Sequence, residues 1–352
     1  MQTIQDTAAM SGSNRYGRPF PLLDIRKQIT VLVEVLGDAH LQRKKPVSFK
    51  TKKERARFSQ QVVSELHRAG LNIRNVLNLG QRHIQAIVDW MLASGMSPGT
   101  IQTRLSLLRW LATAAGKRGL VHAPERYGIT PEDIDRVYVA QTDKSWDGRG
   151  ADTDAAVARA MEMDTWAGTS LLLMKEFGLR LTEAILIRPH VSDTGPSLVV
   201  EEGTKGGRTR VVAIQSESQR QAIDRAKALS VATRRGALVP PGKTPQQARS
   251  RIYYICKKIG LEIGTICLNP HGLRHGFAND LYEAVAGTPS VVRGASTILD
   301  RAADERGRQA VSQALGHKRL SIVAAYTGSK RGAKAPRARP VPMLPSPGRS
   351  EG

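Results

Sequence analysis

Apolar residues recur at helical spacing through much of the chain, and this periodicity limits the fold more than any other feature. Phe58, Val62 and Leu66 stand four residues apart, as they would on one face of a helix. Two further apolar faces are formed by Ile84, Ile87, Val88 and Met91, and by Ile101, Leu105, Leu108 and Ala112. Residues 197–202 and 208–214 instead have the character of two strands joined by the turn GTKGG. The sequence therefore predicts a mainly α fold with a small β-sheet.

Helix boundaries can be placed from capping residues. Ser97, Thr244 and Asn269 are N-cap residues that each precede a proline at the first helical position. Thr244 also has Gln247 three residues later, which completes a capping box. The segment 171–188 is predicted to be helical with an interruption at Gly178.

Changes in composition along the chain suggest its domain organisation. Residues 141–155 are polar, contain glycine and lack periodicity, so we interpret them as an interdomain linker. The linker separates a helical domain over 46–140 from a larger mixed α/β domain over 156–328. Residues 1–45 are expected to form a weakly ordered arm. Residues 329–352 are basic and proline-rich, and they are expected to be disordered.

The charge of the chain points to a polyanionic partner. Lys and Arg number 53 and Asp and Glu number 31, so the formal net charge is 53 − 31 = +22. Such an excess opposes compact folding by self-repulsion. Nucleic acid is the first candidate partner and an anionic membrane surface is the second. The membrane alternative lacks an amphipathic, aromatic-rich anchor, and no secretory signal is evident, so a cytoplasmic, nucleoid-associated protein is expected.

Basic residues crowd just before the first helical pattern. This run and two arginines on the third helix are predicted to contact DNA phosphates: Arg43, Lys44, Lys45, Lys50, Lys52, Lys53, Arg104 and Arg109. Solvated charge on a helix face is the alternative explanation.

Four segments of the second domain carry groups suited to phosphate chemistry. In FGLRLTEAILIR, Arg180 stands where a new helix begins, and Glu183 lies on the same side and is placed to orient its guanidinium. In EEGTKGGRTRVV, Lys205 lies at the tip of the predicted hairpin. Taken alone, the Arg–Glu pair is usually structural and a turn lysine is usually solvated.

The other two segments supply imidazoles and a phenol. In HGLRHGFA, His271, Arg274 and His275 are neighbours on a helix. A zinc site there is rejected, because Arg274 lies between the histidines and no Cys or carboxylate partner is evident. In LGHKRLSIVAAYTG, His317 follows a turn glycine and Tyr326 lies in an Ala/Val-rich helix, where a tyrosine is normally a core residue.

Taken together, these groups fit one reaction. Arginine, lysine and histidine side chains neutralise and hydrogen-bond a pentavalent phosphorane, and a tyrosine supplies a nucleophile. Such an in-line displacement needs no metal or other cofactor when enough cations surround the phosphate.

The order Arg, Lys, His-x-x-Arg, His, Tyr resembles the tyrosine recombinases, or phage integrases. The matching pieces are GLRLTEAILIR, TKGGRTR, HGLRHGFA, LGH and AAYTG, within 156–328. The region 48–138 resembles the family's core-binding domain in pattern and position. The resemblance implies a helical core-binding domain and a catalytic domain that close on DNA as a C-shaped clamp.

The resemblance also implies six catalytic positions: Arg180, Lys205, His271, Arg274, His317 and Tyr326. Arg180 and Arg274 would hold the non-bridging oxygens of the scissile phosphate, and His317 would donate a hydrogen bond to it.

The remaining three positions would handle the nucleophile and the protons. Tyr326 would form a 3′-phosphotyrosyl bond, His271 would act as general base, and Lys205 would protonate the departing 5′ oxygen. Because that covalent bond conserves the phosphodiester energy, ATP would not be needed. The protein, expected to be a monomer when free, would act as four protomers on two DNA sites through a Holliday junction, with accessory DNA-bending or directionality proteins as further partners.

The interval from Arg274 to His317 is longer than is usual in the family, with the extra residues placed in 287–308. This insertion and the long basic arm favour the integrase of a mobile element over a chromosome-dimer resolvase. Two alternatives stay open: a type IB topoisomerase, which shares the chemistry, and a non-catalytic DNA-binding regulator, which would have no use for Tyr326. The DNA target and the choice between integration, excision and resolution are not encoded in these motifs.

Overall fold

The computed structural model describes residues 20–40, 46–204, 207–294, 300–317 and 319–329. These residues form two compact units that meet in sequence between Arg136 and Val137. Most of the regular structure is helical and there is one two-stranded sheet in the described part of the chain. The predicted fold class, mainly α with a small sheet, is therefore confirmed.

The first unit is a bundle of helices. Its helices are α1 (Ile25–Leu36), α2 (Phe49–Arg68), α3 (Gln81–Ala93), α4 (Pro98–Ala114) and the short α5 (Pro131–Ile134). The three predicted apolar faces lie in its core, where Val62, Val88 and Leu108 are fully buried. Ser48 caps α2 by accepting the Thr51 amide, and Pro98 begins α4 as predicted.

One helix of this unit contradicts the prediction that residues 1–45 form a weakly ordered arm. Helix α1 lies within that segment, and Asp24 caps it by accepting hydrogen bonds from the amides of Arg26 and Lys27. Ile29 and Leu32 of α1 are buried in the core of the unit. The helix is stable there because its apolar face packs against α2. Residues 1–19 and 41–45 lie outside the described part.

The second unit contains the sheet and nine α-helices in its described residues. The helices are α6 (Thr153–Met163), α7 (Thr165–Phe177), α8 (Leu181–Leu186), α9 (Pro189–Ser192), α10 (Glu217–Ser230), α11 (Pro245–Glu262), α12 (Pro270–Ala286), α13 (Arg301–Ala314) and α14 (Ala324–Thr327). The strands β1 (Ser197–Val200) and β2 (Arg210–Ala213) pair antiparallel, with Val200 opposite Arg210. They form the predicted hairpin, although each is shorter than its predicted segment.

The segment 141–155 is not a separate linker, as the sequence suggested. It packs within the second unit, where Trp146 is fully buried and its indole Nε1–H donates to the carbonyl oxygen of Asn269 at 2.8 Å. Gly272 allows this approach, since an added Cβ would lie 2.7 Å from the indole ring. The segment therefore packs against the start of α12, the helix that carries His271 and Arg274, and stabilises its position.

The helix boundaries predicted at Gly178, Thr244 and Asn269 are confirmed, whereas the helix before Gly178 begins at Thr165 and not at residue 171. Gly178 ends α7 with a φ of 58°, a conformation that favours glycine, and α8 begins three residues later. Thr244 and Gln247 form the capping box of α11, and Asn269 accepts the His271 amide at the start of α12. Among the described residues, no helix is both long and apolar enough to cross a bilayer.

Candidate active site

Five of the six predicted catalytic side chains come together in the second unit. Arg180 is the N-cap residue of α8, His271 and Arg274 lie on the first turns of α12, His317 follows α13, and Tyr326 lies on α14. The sixth, Lys205, lies outside the described residues, so its role stays a prediction.

Arg274 occupies the centre of this group. Its side chain is fully buried, and its guanidinium donates to the carbonyl oxygens of Gly178 and, at 2.8 Å, Leu315. Its Nε–H donates to the hydroxyl oxygen of Tyr326 at 3.3 Å. Burial lowers the pKa of Arg274 to about 10, so the guanidinium stays charged at neutral pH. The break after α7 therefore both frees a carbonyl for Arg274 and starts the helix of Arg180.

Tyr326 is buried with its ring among three imidazoles. Its ring centroid lies 4.8 Å from that of His275, 5.7 Å from His317 and 6.1 Å from His271. Only 7% of Tyr326 is exposed. A tyrosine that served only as a core residue would pack against apolar neighbours, whereas this hydroxyl faces a buried guanidinium.

The imidazoles are kept neutral by their surroundings. Burial, together with the charge of Arg274, lowers the pKa of His317 to about 4, and burial with the neighbouring His271 lowers that of His275 to about 3. His271 lies at the exposed edge of the group, and desolvation by surrounding protein atoms and the charges of Arg274 and Arg180 lower its pKa as well. Near pH 7, His271 is therefore able to accept a proton.

A buried carboxylate organises the arginines. Glu183 is fully buried, and its Oε1 accepts a hydrogen bond from Arg180 at 2.7 Å, as predicted from the sequence. Its Oε2 accepts the Arg180 amide at 2.7 Å and lies 2.7 Å from Arg210 and 4.0 Å from Arg274. Burial would raise the pKa of Glu183, but these arginines hold it below its usual value. The cluster of three arginines and one carboxylate thus has a formal charge of 3 − 1 = +2.

Arg210 was not identified from the sequence. It occupies an inward position of β2, in phase with Val212, and 4% of its side chain is exposed. The sequence feature that could have revealed it is an arginine at a position where the alternation of the strand predicts a buried apolar residue. Its ion-pair partner Glu183 is 27 residues away in the chain, and no local pattern reveals that contact.

Buried polar atoms without a hydrogen-bond partner concentrate in this cluster. Among the described residues they include Nε and Nη2 of Arg210, Nδ1 of His275 and Nε2 of His317. The third guanidinium nitrogen of Arg210, Nη1, lies 2.7 Å from Oε2 of Glu183. Buried polar groups are normally hydrogen-bonded, so unpaired ones indicate a site that receives a polar ligand. A cationic pocket of this kind suits an anion.

The described residues contain no group of three or more His, Cys, Asp and Glu side chains arranged to hold a metal ion. His271 and His275, whose spacing raised that question, have their rings 5.1 Å apart and nearly perpendicular. Their common neighbour is Tyr326 rather than a carboxylate.

The residues predicted to contact DNA from the first unit differ in their surroundings. Lys50 is exposed and its ammonium lies 3.8 Å from Glu54, whereas Lys52 is less exposed and pairs with Asp38 at 2.7 Å. Arg104 packs its guanidinium 4.9 Å from the Trp90 ring, and Arg109 donates to the His122 carbonyl at 3.3 Å. The predicted Arg43, Lys44 and Lys45 lie outside the described residues. Phosphate contact by this whole set stays a prediction, with Lys50 and Lys53 the most exposed members described.

Two protein-family models match the chain. One is described as the N-terminal part of phage integrases and covers residues 38–121, and the other is described as integrase and covers residues 141–280. The second match includes Arg180, Glu183, Arg210, His271 and Arg274. It ends before His317 and Tyr326, whose catalytic roles stay predictions, although the structure places both in the same cluster as Arg274. No curated protein sequence matches the chain.

Solved structures share the fold at low sequence identity. A λ integrase dimer bound to a COC′ core site gives a TM-score of 0.55 at 15% identity, over 90% of this chain and 80% of that one. The Tn1549 transposon integrase in complex with transposon right-end DNA gives 0.55 at 14% identity, over 86% and 94%. A λ integrase tetramer bound to a Holliday junction gives 0.55 at 14%, over 95% and 87%. The chain belongs to the tyrosine recombinase, or phage integrase, family of site-specific DNA recombinases.

Proposed function

We propose that this chain is the integrase of a mobile element and that it cuts and rejoins DNA through a covalent bond between Tyr326 and a 3′ phosphate. The observation that carries the proposal is the position of the Tyr326 hydroxyl. It lies 3.3 Å from a fully buried arginine, at the edge of a cluster with a formal charge of +2 and unpaired polar atoms. A nucleophile and an anion-binding pocket are thus adjacent.

The reaction follows from these groups. The phenolic oxygen of Tyr326 attacks the phosphorus, a bond from that oxygen to phosphorus forms, and the bond from phosphorus to the 5′ oxygen breaks. The phenolic proton passes to His271, whose lowered pKa keeps it neutral and able to accept a proton. The 5′ oxygen takes a proton from a general acid. Rejoining is the reverse reaction with a 5′ hydroxyl from the partner strand.

The arginines stabilise the transition state. Extra negative charge develops on the non-bridging phosphate oxygens, and Arg180 and Arg274 are the groups proposed to contact them. Glu183 orients Arg180, because its carboxylate accepts hydrogen bonds from both the guanidinium and the main-chain amide of that residue. His317, with its unpaired Nε2, is proposed to donate to a phosphate oxygen.

Lys205 is proposed as the general acid, since an ammonium gives up a proton far more readily than a guanidinium. Lys175 is a weaker candidate in this structure. Its ammonium is held by Asp154 at 2.7 Å and by Glu176 at 2.8 Å, and these ion pairs outweigh the effect of burial and raise its pKa.

The partners follow from the relatives. The λ integrase is seen as a dimer on a core site and as a tetramer on a Holliday junction, and the Tn1549 integrase is seen on a transposon end. We extend these to double-stranded recombination sites for this chain, with a monomer in the free state and a tetramer on paired sites. Accessory DNA-bending or directionality proteins remain part of the proposal.

Covalent trapping tests this function. A nicked suicide substrate taken from the native junction of the element should accumulate a protein–DNA adduct, also in EDTA. Tyr326→Phe should bind the same DNA and form no adduct. Tyr254→Phe is the matched control, because Tyr254 is an exposed tyrosine on α11 beside Arg251 and should be dispensable for cleavage. Adducts that persist in Tyr326→Phe would overturn the assignment.

A further inference from the structure

The helix that carries Tyr326 is too short to hold its own position. Helix α14 spans Ala324–Thr327, a single turn, and a turn of this length is unstable in isolation. At its start, the Ala140 amide donates to the Ala324 carbonyl oxygen at 2.8 Å. At its end, Gly328 leaves the helix with a φ of 74°. The position of the Tyr326 hydroxyl therefore depends on contacts from elsewhere in the unit.

Arg308 of α13 supplies the contacts at the end of α14. Its Nη1 donates to the Thr327 hydroxyl at 3.3 Å and to the Gly328 carbonyl oxygen at 3.2 Å, and its Nη2 donates to that same carbonyl at 3.2 Å. A cation that binds the last carbonyls of a helix stabilises that end. Only 14% of the Arg308 side chain is exposed, so solvent competes weakly for these bonds.

Arg308 is itself held in place from α12. Asp304, one turn earlier on α13, accepts from Arg308 Nε at 2.9 Å, and the hydroxyl of Tyr282 donates to Asp304 at 2.5 Å. Tyr282 lies on α12, the helix that carries His271 and Arg274. Gly307 admits its ring, since an added Cβ would lie 2.9 Å from it. We call Tyr282, Asp304, Arg308, Thr327 and Gly328 the Arg308 network.

We propose that Arg308 is a positioning residue that fixes the distance between the nucleophile and the phosphate-binding arginines. The network joins the helix of Arg274 to the helix of Tyr326. It therefore fixes the distance between the Arg274 guanidinium and the Tyr326 hydroxyl, which are joined by a hydrogen bond of 3.3 Å. This inference rests on the proposed function, in which Tyr326 is the nucleophile. Arg308 touches neither DNA nor the reacting atoms in this assignment.

The first measurement is the single-turnover rate of adduct formation. A displacement of about 1 Å at a reacting atom costs on the order of 100-fold in rate, so Arg308→Gln should slow cleavage by about 10- to 100-fold. The DNA dissociation constant should stay within about twofold. Arg308→Lys keeps the charge but loses the two-nitrogen contact, and it should recover part of the rate. Arg306→Gln is the matched control, because Arg306 lies on α13 with 61% of its side chain exposed.

The second measurement separates positioning from general damage. In a Tyr326→Phe background, hydrogen peroxide at high concentration serves as an external nucleophile that attacks the same phosphorus. Adding Arg308→Gln should change the rate of this peroxide cleavage by less than about twofold relative to Tyr326→Phe alone, because the position of an external nucleophile does not depend on helix α14. Arg274→Ala should abolish it, since the phosphate pocket is then lost.

Each outcome decides the proposal. The proposal is supported if Arg308→Gln slows cleavage by Tyr326 but leaves cleavage by peroxide nearly unchanged. Equal losses in both assays would overturn it, because Arg308 would then support the whole pocket, and unchanged tyrosine cleavage would overturn it too. If Arg308→Gln does not fold, Tyr282→Phe is measured in the same pair of assays, with a smaller loss expected. Failure of the proposed function is distinct, since adducts would then persist in Tyr326→Phe itself.

Discussion

Both units contain a buried arginine that donates to main-chain carbonyls and lies over an aromatic ring. In the first unit, Arg55 donates to Gly37 and Ala39 at 2.7 Å and lies 4.8 Å from the Trp110 ring. In the second, Arg274 donates to Gly178 and Leu315 and lies 5.9 Å from the Tyr326 ring. Burial lowers the pKa of both. Judged one at a time, the two arginines are similar.

The difference lies in what surrounds each arginine. Arg274 shares its pocket with Arg180 and Arg210, whose charges lower its pKa further, and with one buried carboxylate. The charge that affects the pKa of Arg55 is that of Asp38, which favours the protonated guanidinium and so partly offsets the effect of burial. Like charges buried together destabilise a fold unless an anion joins them. Convergence of cations from separate elements, rather than burial of a single arginine, therefore distinguishes the proposed phosphate site from the structural arginine of the first unit.

The largest expected effect comes from exchanging the two buried arginines for lysine. Arg274→Lys should slow adduct formation by at least about 100-fold, because an ammonium cannot reproduce the fork of donors around a phosphate. Arg55→Lys should lower the melting temperature while cleavage at saturating DNA stays within about twofold. Single-turnover cleavage and thermal unfolding of both variants measure this. Equal cleavage losses in the two variants would erase the distinction between the units.

Arg210 gives a sharper test, because the sequence did not reveal it. Arg210→Met removes the ion pair to Glu183, which leaves the carboxylate free to draw Arg180 away from the phosphate. We expect cleavage to slow by about 10-fold, with the DNA dissociation constant nearly unchanged. Arg188→Met is the matched control, since Arg188 forms a partly exposed pair with Glu202. An unaltered cleavage rate in Arg210→Met would show that Glu183 needs no second arginine.

The histidines of the pocket predict how stability depends on pH. The pKa values of His275 and His317 are lowered to about 3 and about 4 in the folded state, against an ordinary value near 6.5. The unfolded chain therefore binds protons more readily, so stability is fully present above about pH 6.5 and falls as pH drops toward 4. Melting curves of the wild type should show this fall, and His275→Asn should flatten it. His190→Asn, an exposed histidine of the same unit, is the control, and an identical response in both variants would contradict the assignment.

The smallest expected effect concerns the lysines of the first unit. Replacing exposed Lys50 and Lys53 by glutamine should weaken DNA binding about equally for all sequences. The plot of the logarithm of the DNA-binding constant against the logarithm of the salt concentration should also become less steep. Its slope should change by about one to two, because each lost phosphate contact accounts for roughly 0.9. Lys52→Gln should change the slope less, because Lys52 is paired with Asp38. A slope that is unchanged in the double variant would place these lysines in solvent.

Much of the fold follows from local pattern. The faces of Val62, Val88 and Leu108, the break at Gly178 and the caps at Thr244 and Asn269 were all predictable, because periodicity and capping act within a few residues. Helix α1 was missed although Ile29 and Leu32 have helical spacing, since the surrounding glycine, proline and charge suggested a loose arm.

The parts that could not be predicted depend on contacts distant in sequence. The segment 141–155 is ordered because Trp146 reaches Asn269, 123 residues away. The link from Tyr282 to Asp304 spans 22 residues, and that from Arg308 to Gly328 spans 20. The candidate site residues are predicted by the family motif, whereas the residues that support them become visible only in three dimensions.

The central claim is that Tyr326, placed beside the converging arginines, attacks the phosphate. Peptide mapping of a trapped adduct by mass spectrometry tests it most directly. After nuclease and protease digestion, the account predicts a nucleotide attached through its 3′ phosphate to the peptide that contains Tyr326. A nucleotide on Tyr282 or Tyr254, or a linkage through a 5′ phosphate, would contradict the account.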